Sequence, residues 1–326
     1  MNASTLRCIC LAAALTLPTG TTRADEPARV ARGITLLPGQ LQANRSPDGN
    51  SLVLRGKEGV VVIDTGRGGG HTRHLIDLVS HMDLPLVAVI NTHWHLDHIG
   101  GNALFRERWP GLHVYAHPSL DTALAGFHAD YRKQLESYLP TLPEGSDEQK
   151  RYLAEMDLLR LDRKLAGTDP LPQSTSLTLG GRRLELHVSP HAVTEGDLWI
   201  FDAATKTLVA GDLVTLPVPM FDSACPEGWS SSLADLARED FSQLVPGHGR
   251  PMSRSQFAIY RKAFDHLLAC AANENDSKAC IDGWFEDAGV LIPAADQAYG
   301  RTLLAYYIEQ FIKPSAPGRK RWCPAP

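Results

Sequence analysis

Along the first third of the chain the apolar positions change period several times, and each change marks an element. Ser51–Arg55 and Val60–Asp64 read as strands joined by a Lys57-Glu58-Gly59 turn. The second is an unbroken apolar run, the pattern of a strand buried on both faces. Gly66 and Gly68–Gly70 interrupt it, and His71–His81 then places Leu75, Ile76, Leu78 and Val79 at helical spacing. Leu86–Ile90 is another short buried strand and runs into a histidine-rich loop. Ala103–Trp109 follows as a helix and Leu112–Tyr115 as a strand.

The pattern changes from Pro118 to Gly167, a charged stretch rich in Leu, Arg, Glu and Lys and broken by Pro140 and Pro143. It predicts two helices, Ser119–Tyr138 and Asp147–Leu165, as an insertion rather than a separate domain. Strands resume at Ser176–Leu179, Arg182–Val188, Leu198–Phe201 and Thr207–Ala210. Helices dominate after Pro251, at Ser253–Ala272, Ala279–Ala288 and Ala294–Ile312. No internal repeat interrupts this order, and residues 25–326 read as one domain.

The first 24 residues stand outside that order. Arg7 precedes an apolar stretch from Cys8 to Leu17, and Pro18 and Gly20 lead to Thr22-Arg23-Ala24, a small-x-small cleavage pattern. Ten apolar residues are too few to cross a bilayer, so the segment predicts a removable secretory leader rather than an anchor. Its removal takes Arg7 and Arg23 and no acid, leaving 30 basic against 37 acidic side chains. That balance argues for solubility and against nucleic acid as a partner; the partner expected is a small-molecule substrate. Four cysteines remain, Cys225, Cys270, Cys280 and Cys323, with three pairings open to them. In an oxidising compartment an even number suggests disulfides. The spacing of Cys270 and Cys280 suits a staple between helices, which would leave Cys225 for Cys323.

The chemistry concentrates in Asn91-Thr92-His93-Trp94-His95-Leu96-Asp97-His98-Ile99-Gly100-Gly101-Asn102, directly after a buried strand. Side chains two apart in an extended segment point the same way, so His93 and His95 can chelate one ion. Asp97 and His98 fall where the chain turns into a helix and can face a second ion. Neutral imidazoles and a carboxylate suit zinc. Three of the chain's 13 histidines with an aspartate in one hexapeptide are hard to explain by packing.

His93-x-His95-x-Asp97-His98 resembles the signature of the metallo-β-lactamase superfamily, and the flanking segments agree in order. Val62-Ile63-Asp64-Thr65-Gly66 resembles the family's strand end, whose aspartate positions the metal loop. Val209-Ala210-Gly211-Asp212 resembles the segment whose aspartate bridges two metals, and Val245-Pro246-Gly247-His248-Gly249 the late loop whose histidine binds the second. The resemblance implies an α+β chain folded as a four-layer αβ/βα sandwich. To it would be added the helical insertion at 118–167 and a C-terminal helical extension at 252–313. The family's third motif, Gly-His-Thr, is altered here to His187-Val188-Ser189-Pro190-His191-Ala192-Val193-Thr194-Glu195-Gly196-Asp197. Anchoring on Thr194 and Gly196-Asp197 puts Val193 at the ligand position, whereas anchoring on Pro190 favours His191. His191 is the preferred third ligand of the first metal, Glu195 the alternative, and His187 a strand residue with a structural role. His71, His74, His81, His113, His117, His128 and His266 are expected on surfaces or helix faces, with His117 the one nearest a functional position.

Two zinc ions about 3.5–4 Å apart would share a water and lower its pKa towards about 7, giving a bridging hydroxide. Its target would be an ester, thioester, lactam, phosphoryl or sulfuryl centre, with Asp97 both a ligand and a proton acceptor. His98 stands where the single-cysteine lactamase subclass has arginine, which disfavours that subclass. The wording of the third motif, the leader and the insertion are similar to periplasmic zinc metallohydrolases associated with quinoprotein pathways. A true β-lactamase and a zinc-binding accessory protein without turnover are the other two readings.

Overall fold

The computed structural model describes residues 26–42, 45–273, 276–319 and 321–323. The leader expected over residues 1–24 lies outside the described residues.

The first sheet is laid down in chain order. Strands β1 (Ala28–Ala31), β2 (Ile34–Leu37), β3 (Ser51–Arg55) and β4 (Val60–Ile63) pair antiparallel. Helix α1 (Gly69–Ser80) crosses to β5 (Leu86–Ile90), which pairs parallel with β4. Helices α2 (Leu96–Ile99) and α3 (Asn102–Arg108) then lead to β6 (His113–Ala116), also parallel.

The insertion supplies α4 (Ser119–Ala125), α5 (Phe127–Tyr138) and α6 (Asp147–Leu159) before β7 (Asp169–Pro170) closes the sheet. The single helix expected over Ser119–Tyr138 is broken at Gly126, whose φ of −108° and ψ of −89° leave the helical region. The helix expected over Asp147–Leu165 ends at Leu159, with a separate 3₁₀ turn at Asp162–Leu165.

Strands β8 (Thr175–Leu179), β9 (Arg182–Pro190), β10 (Gly196–Asp202) and β11 (Thr207–Thr215) form an antiparallel meander. Helix α7 (Pro226–Leu236) then carries the chain to β12 (Gln243–His248), parallel to β11 and edged by β13 (Met252–Ser253). The second sheet therefore reads β13-β12-β11-β10-β9-β8. Helices α8 (Arg254–Ala272), α9 (Ser277–Ala288) and α10 (Ala294–Tyr307) complete the chain.

Alternation along the strands sorts side chains into layers. Val61 and Ile63 of β4 pack with Leu52, Ile90, Leu186, Ile200 and Val209 between the two sheets. Val60 and Val62 face outward to Leu75, Val79 and Phe105 of α1 and α3. On the far side Trp229, Phe257, Phe264, Trp284 and Tyr307 cover the second sheet. This is the four-layer α+β sandwich. The insertion belongs to it, because Leu120, Leu124, Leu135, Met156 and Leu159 pack onto Trp94, Leu96 and Ile99 of the histidine-rich loop.

Two disulfides staple the C-terminal region. Cys270–Cys280 joins α8 to α9, and Cys225–Cys323 ties the start of α7 to the end of the described chain. Among the described residues no helix is long and apolar enough to cross a membrane.

Candidate metal centre

The parallel pair β4–β5 of the first sheet and the parallel pair β11–β12 of the second end at the same edge of the sandwich. In the first sheet β4 stops before Asp64 and β5 before Asn91. In the second, β11 carries Asp212 and β12 ends on His248. Backbone bonds sew the two ends together, from Leu198 N to Thr92 O (2.6 Å) and from Asn50 N to Gly247 O (2.7 Å).

The imidazoles at this edge are aimed by partners behind them. Asp64 is held at a φ of 57°, which swings its carboxylate under the loop. It accepts from Thr92 N and Thr92 Oγ1, each at 2.7 Å, and from His98 Nδ1, also at 2.7 Å. A carboxylate only accepts, so His98 carries its proton on Nδ1 and turns a bare Nε2 forward. The Thr92 hydroxyl, its proton given to Asp64, accepts from His93 Nδ1 at 3.0 Å and leaves His93 Nε2 bare. His95 is held the other way round. Its Nε2 lies 2.7 Å from Ser223 Oγ, whose proton goes to Val193 O at 2.9 Å, so Nδ1 is its free nitrogen. Such backing fixes tautomer and ring orientation at metal sites.

The bare atoms converge. His93 Nε2, His98 Nε2, His248 Nε2 and both Asp212 oxygens are buried without a hydrogen-bond partner. Each such atom costs about 1–3 kcal/mol unless something satisfies it. His98 Nε2 is 3.1 Å from Asp212 Oδ1, His248 Nε2 is 3.1 Å from Asp97 Oδ2, and His93 Nε2 is 3.6 Å from Asp212 Oδ2. The donors form two overlapping sets, His93 with His98 and Asp212, and Asp97 with His98 and His248. His95 lies beside the first, its ring centroid 4.5 Å from that of His93.

Electrostatics favours cations here. Burial raises Asp97 and Asp212, but the facing histidines outweigh it and hold both carboxyls below the usual range. Burial together with the charge of His98 keeps His93 well below the ordinary imidazole value. Against burial, the same carboxylates raise His98 well above the ordinary imidazole value and raise His248, so without a metal these rings hold protons that a bound cation would displace. Imidazoles and carboxylates crowded around a common point are a zinc-type donor set. Glycine makes the approach possible at two places. A Cβ on Gly49 would stand 2.4 Å from the His98 ring, and one on Gly247 would stand 1.9 Å from Asp212 Oδ1.

The structure does not bring His191 to these donors. Pro190 pairs with Gly196, so residues 191–195 form the turn between β9 and β10. The Asp197 carboxylate pins that turn, accepting from Val193 N and Thr194 N at 3.0 Å each. The turn sinks Ala192 and Val193 into the apolar layer behind the second sheet and leaves His191 at a φ of 51°, facing His117. His191 is in neither donor set, and its Nδ1 is buried without a hydrogen-bond partner. Glu195 is also apart, its Oε2 accepting from Trp94 Nε1 at 3.2 Å. His187 stacks on Trp199 within β9 and β10, with ring centroids 3.8 Å apart.

Of the histidines expected on surfaces or helix faces, His71 is half-buried on α1 and His128 is buried on α5. His71 is 2.9 Å from Ser51 Oγ, and His128 is buried against Trp94 O at 3.0 Å. Thr92, Ser223 and Asn50 carried no signal in the sequence, since common polar residues show their role only when folded. Arg67 is a fourth such residue. It pairs with Glu155 of α6, donates to Pro47 O at 2.9 Å, and faces Asp97. A cavity of about 970 Å³ opens beside it, lined by Arg45, Lys150, Arg151 and Asp48 among others, but none of the clustered donors reaches its wall.

Two expected results follow from this packing. Asp64→Ala should weaken zinc binding about 10–100-fold, read by competition with a chromogenic chelator, because His98 and Thr92 lose their anchor. His128 gives a pH dependence. Burial lowers it to about 4, since its Nδ1 has no partner to receive a proton. The stability it protects is complete above pH 6.5 and is lost as pH falls from 6.5 towards 4, on the order of 3 kcal/mol. His128→Gln should remove that loss, so wild type and variant should diverge between urea unfolding at pH 7.5 and at pH 5. Parallel pH profiles would refute it.

Residues 47–269 match the family model of the Metallo-beta-lactamase superfamily. The linear primary-alkylsulfatase of Pseudomonas sp. (strain ATCC 19151) is 26% identical over 226 residues, 62% of this chain and 41% of that protein. The hydroxyacylglutathione hydrolase of Gloeobacter violaceus (strain ATCC 29082 / PCC 7421) is 46% identical over 44 residues, 14% of this chain and 18% of that protein. The chain thus spans less than half the length of both these curated relatives. Among solved structures, a metallo-β-lactamase from Pontibacter korlensis superimposes with a TM-score of 0.56 at 18% identity, covering 74% of this chain and 98% of that one. The DIM-1 metallo-β-lactamase gives 0.53 at 17% identity, covering 74% and 96%. These two structures share the fold. With the family match spanning two thirds of its length, the chain belongs to the metallo-β-lactamase superfamily.

Proposed function

We propose that this protein is an exported dinuclear-zinc hydrolase acting on a small ester, thioester, sulfate ester, lactam or related electrophile. The observation that carries the reading is the convergence of three bare imidazole nitrogens and both Asp212 oxygens on one buried point. His93 and His95 would hold the first ion, Asp97, His98 and His248 the second, with Asp212 between them. Zinc bound there supplies Lewis acidity, polarising the attacked oxygen and activating water near neutral pH. Asp97 accepts the proton that the attacking water releases, and its contact with His248 keeps it ionised for that task. Asp64 and Thr92 hold His98 and His93 in register through each turnover.

The two relatives with printed activities cleave a sulfate ester and a thioester, which supports hydrolysis and leaves the bond type to experiment. Two disulfides support an oxidising compartment, in agreement with the leader expected from the sequence. The test is a panel of nitrophenyl esters, a thioester, an alkyl sulfate and a chromogenic cephalosporin. At least one should be hydrolysed, with activity removed by chelator and restored by zinc. Full zinc occupancy with no hydrolysis across the panel would instead favour an accessory zinc-binding protein.

A further inference from the structure

Of the six clustered donors His95 alone is half-buried and the other five are buried, so the metal centre comes nearest to solvent at His95. Two walls flank its ring. On one side stands Ser223, with Oγ 2.7 Å from His95 Nε2. On the other is Trp94, its ring centroid 4.8 Å from that of His95. The C-terminal tail joins these walls. Cys323 is bonded to Cys225, two residues after Ser223, and the adjacent Trp322 has its ring 6.4 Å from Trp94 and 5.9 Å from Phe127 of α5. We propose that this tail is a strap across the entrance to the metal centre, with Trp322 limiting the size of what reaches the ions, an inference that rests on the two-metal reading above. Segments that close over a site gate what enters it.

The tail is pinned at several points. Arg319 pairs with Glu227 of α7, Gly318 N donates to Gln310 O at 2.8 Å, and Arg321 lies over the Trp322 ring at 5.0 Å. The other end of the disulfide is fixed too, since Cys225 N donates to Ala192 O at 2.8 Å in the turn between β9 and β10. Trp322 Nε1 is buried and meets no acceptor among the described residues. A buried indole N–H ordinarily finds one, so this donor is left for an oxygen of the molecule that passes. Esters, thioesters, sulfate esters and lactams all carry such an oxygen. Trp322 and Cys323 lie beyond the stretch that matches the family, so the tail shapes access to a centre that the family stretch builds.

Zinc exchange tests this without reference to turnover. A strap over the entrance slows loading and release by the same factor and leaves the equilibrium affinity unchanged, whereas a residue that merely props the metal loop changes the affinity. Cys225→Ser combined with Cys323→Ser, and separately Trp322→Ala with the disulfide kept, should load and release zinc about 10-fold faster, followed by stopped flow with a chromogenic chelator. Equilibrium affinity should stay within about 2-fold of wild type in both, and Trp322→Phe should exchange zinc as wild type does. In the metal-free protein, diethyl pyrocarbonate followed by peptide mass spectrometry should modify His95 faster in the same two variants. Wild-type exchange and labelling rates in either variant, or a loss of affinity in place of faster loading, would overturn the strap and leave the two-metal reading intact. A wild type that holds fewer than two zinc ions would overturn the two-metal reading, and the labelling of His95 then still decides on the strap.

Discussion

Asp212→Ala should lower the hydrolysis rate by about 10³-fold or more and reduce zinc at both positions, while the chain stays folded. Among the described residues Asp212 is the one carboxylate with both oxygens buried and without a hydrogen-bond partner, and they face His93 on one side and His98 and His248 on the other. Removing it would take a donor from the first set and a negative charge from between the two. Lewis-acid stabilisation worth several kcal/mol would go with it, and each 1.36 kcal/mol is tenfold in rate. Metal analysis beside the rate separates this from misfolding. A variant with two zinc ions and a near-normal rate would refute the bridging assignment.

Asp97→Ala should be nearly as severe for turnover but milder for metal content. Its carboxylate serves the second set only, 3.1 Å from His248 Nε2 and 3.8 Å from His98 Nε2. The first ion should remain with His93, His95 and Asp212. The rate should fall about 10³-fold, because a ligand and the proton acceptor are lost together. Asp97→Asn should restore part of the zinc and little of the rate, since an amide can ligate weakly and cannot accept the proton. Equal rescue of both would show that Asp97 acts as a ligand alone.

What the sequence showed of this centre follows from how local each feature is. His93, His95, Asp97 and His98 are neighbours in the chain, so their spacing alone announces a metal loop. Buried strands such as Val60–Ile63 and Leu86–Ile90 were legible because both their faces are apolar. Helix α7 was missed, since Ser230, Ser231 and Ser232 dilute the apolar pattern of Trp229, Leu233 and Leu236 and one of them, Ser232, takes a buried position. Strand β12 was hidden by Pro246 and Gly247, which suit turns. The Gly126 break merged α4 with α5 because the apolar spacing runs through it. His191 is a different case. Counting from Pro190 and counting from Thr194 disagree by two residues, and the turn that Asp197 pins leaves His191 outside both donor sets. Ser223 lies 128 residues from the His95 that it orients, beyond the reach of any local pattern.

The central claim is that this edge of the sandwich is a two-metal site built by His93, His95, Asp97, His98, Asp212 and His248. Counting zinc in the mature protein after gentle purification, by mass spectrometry of the native chain, reads it directly. The account predicts two ions per chain, both removed by chelator and both recovered on adding zinc. A chain that binds none, or never more than one, would contradict it.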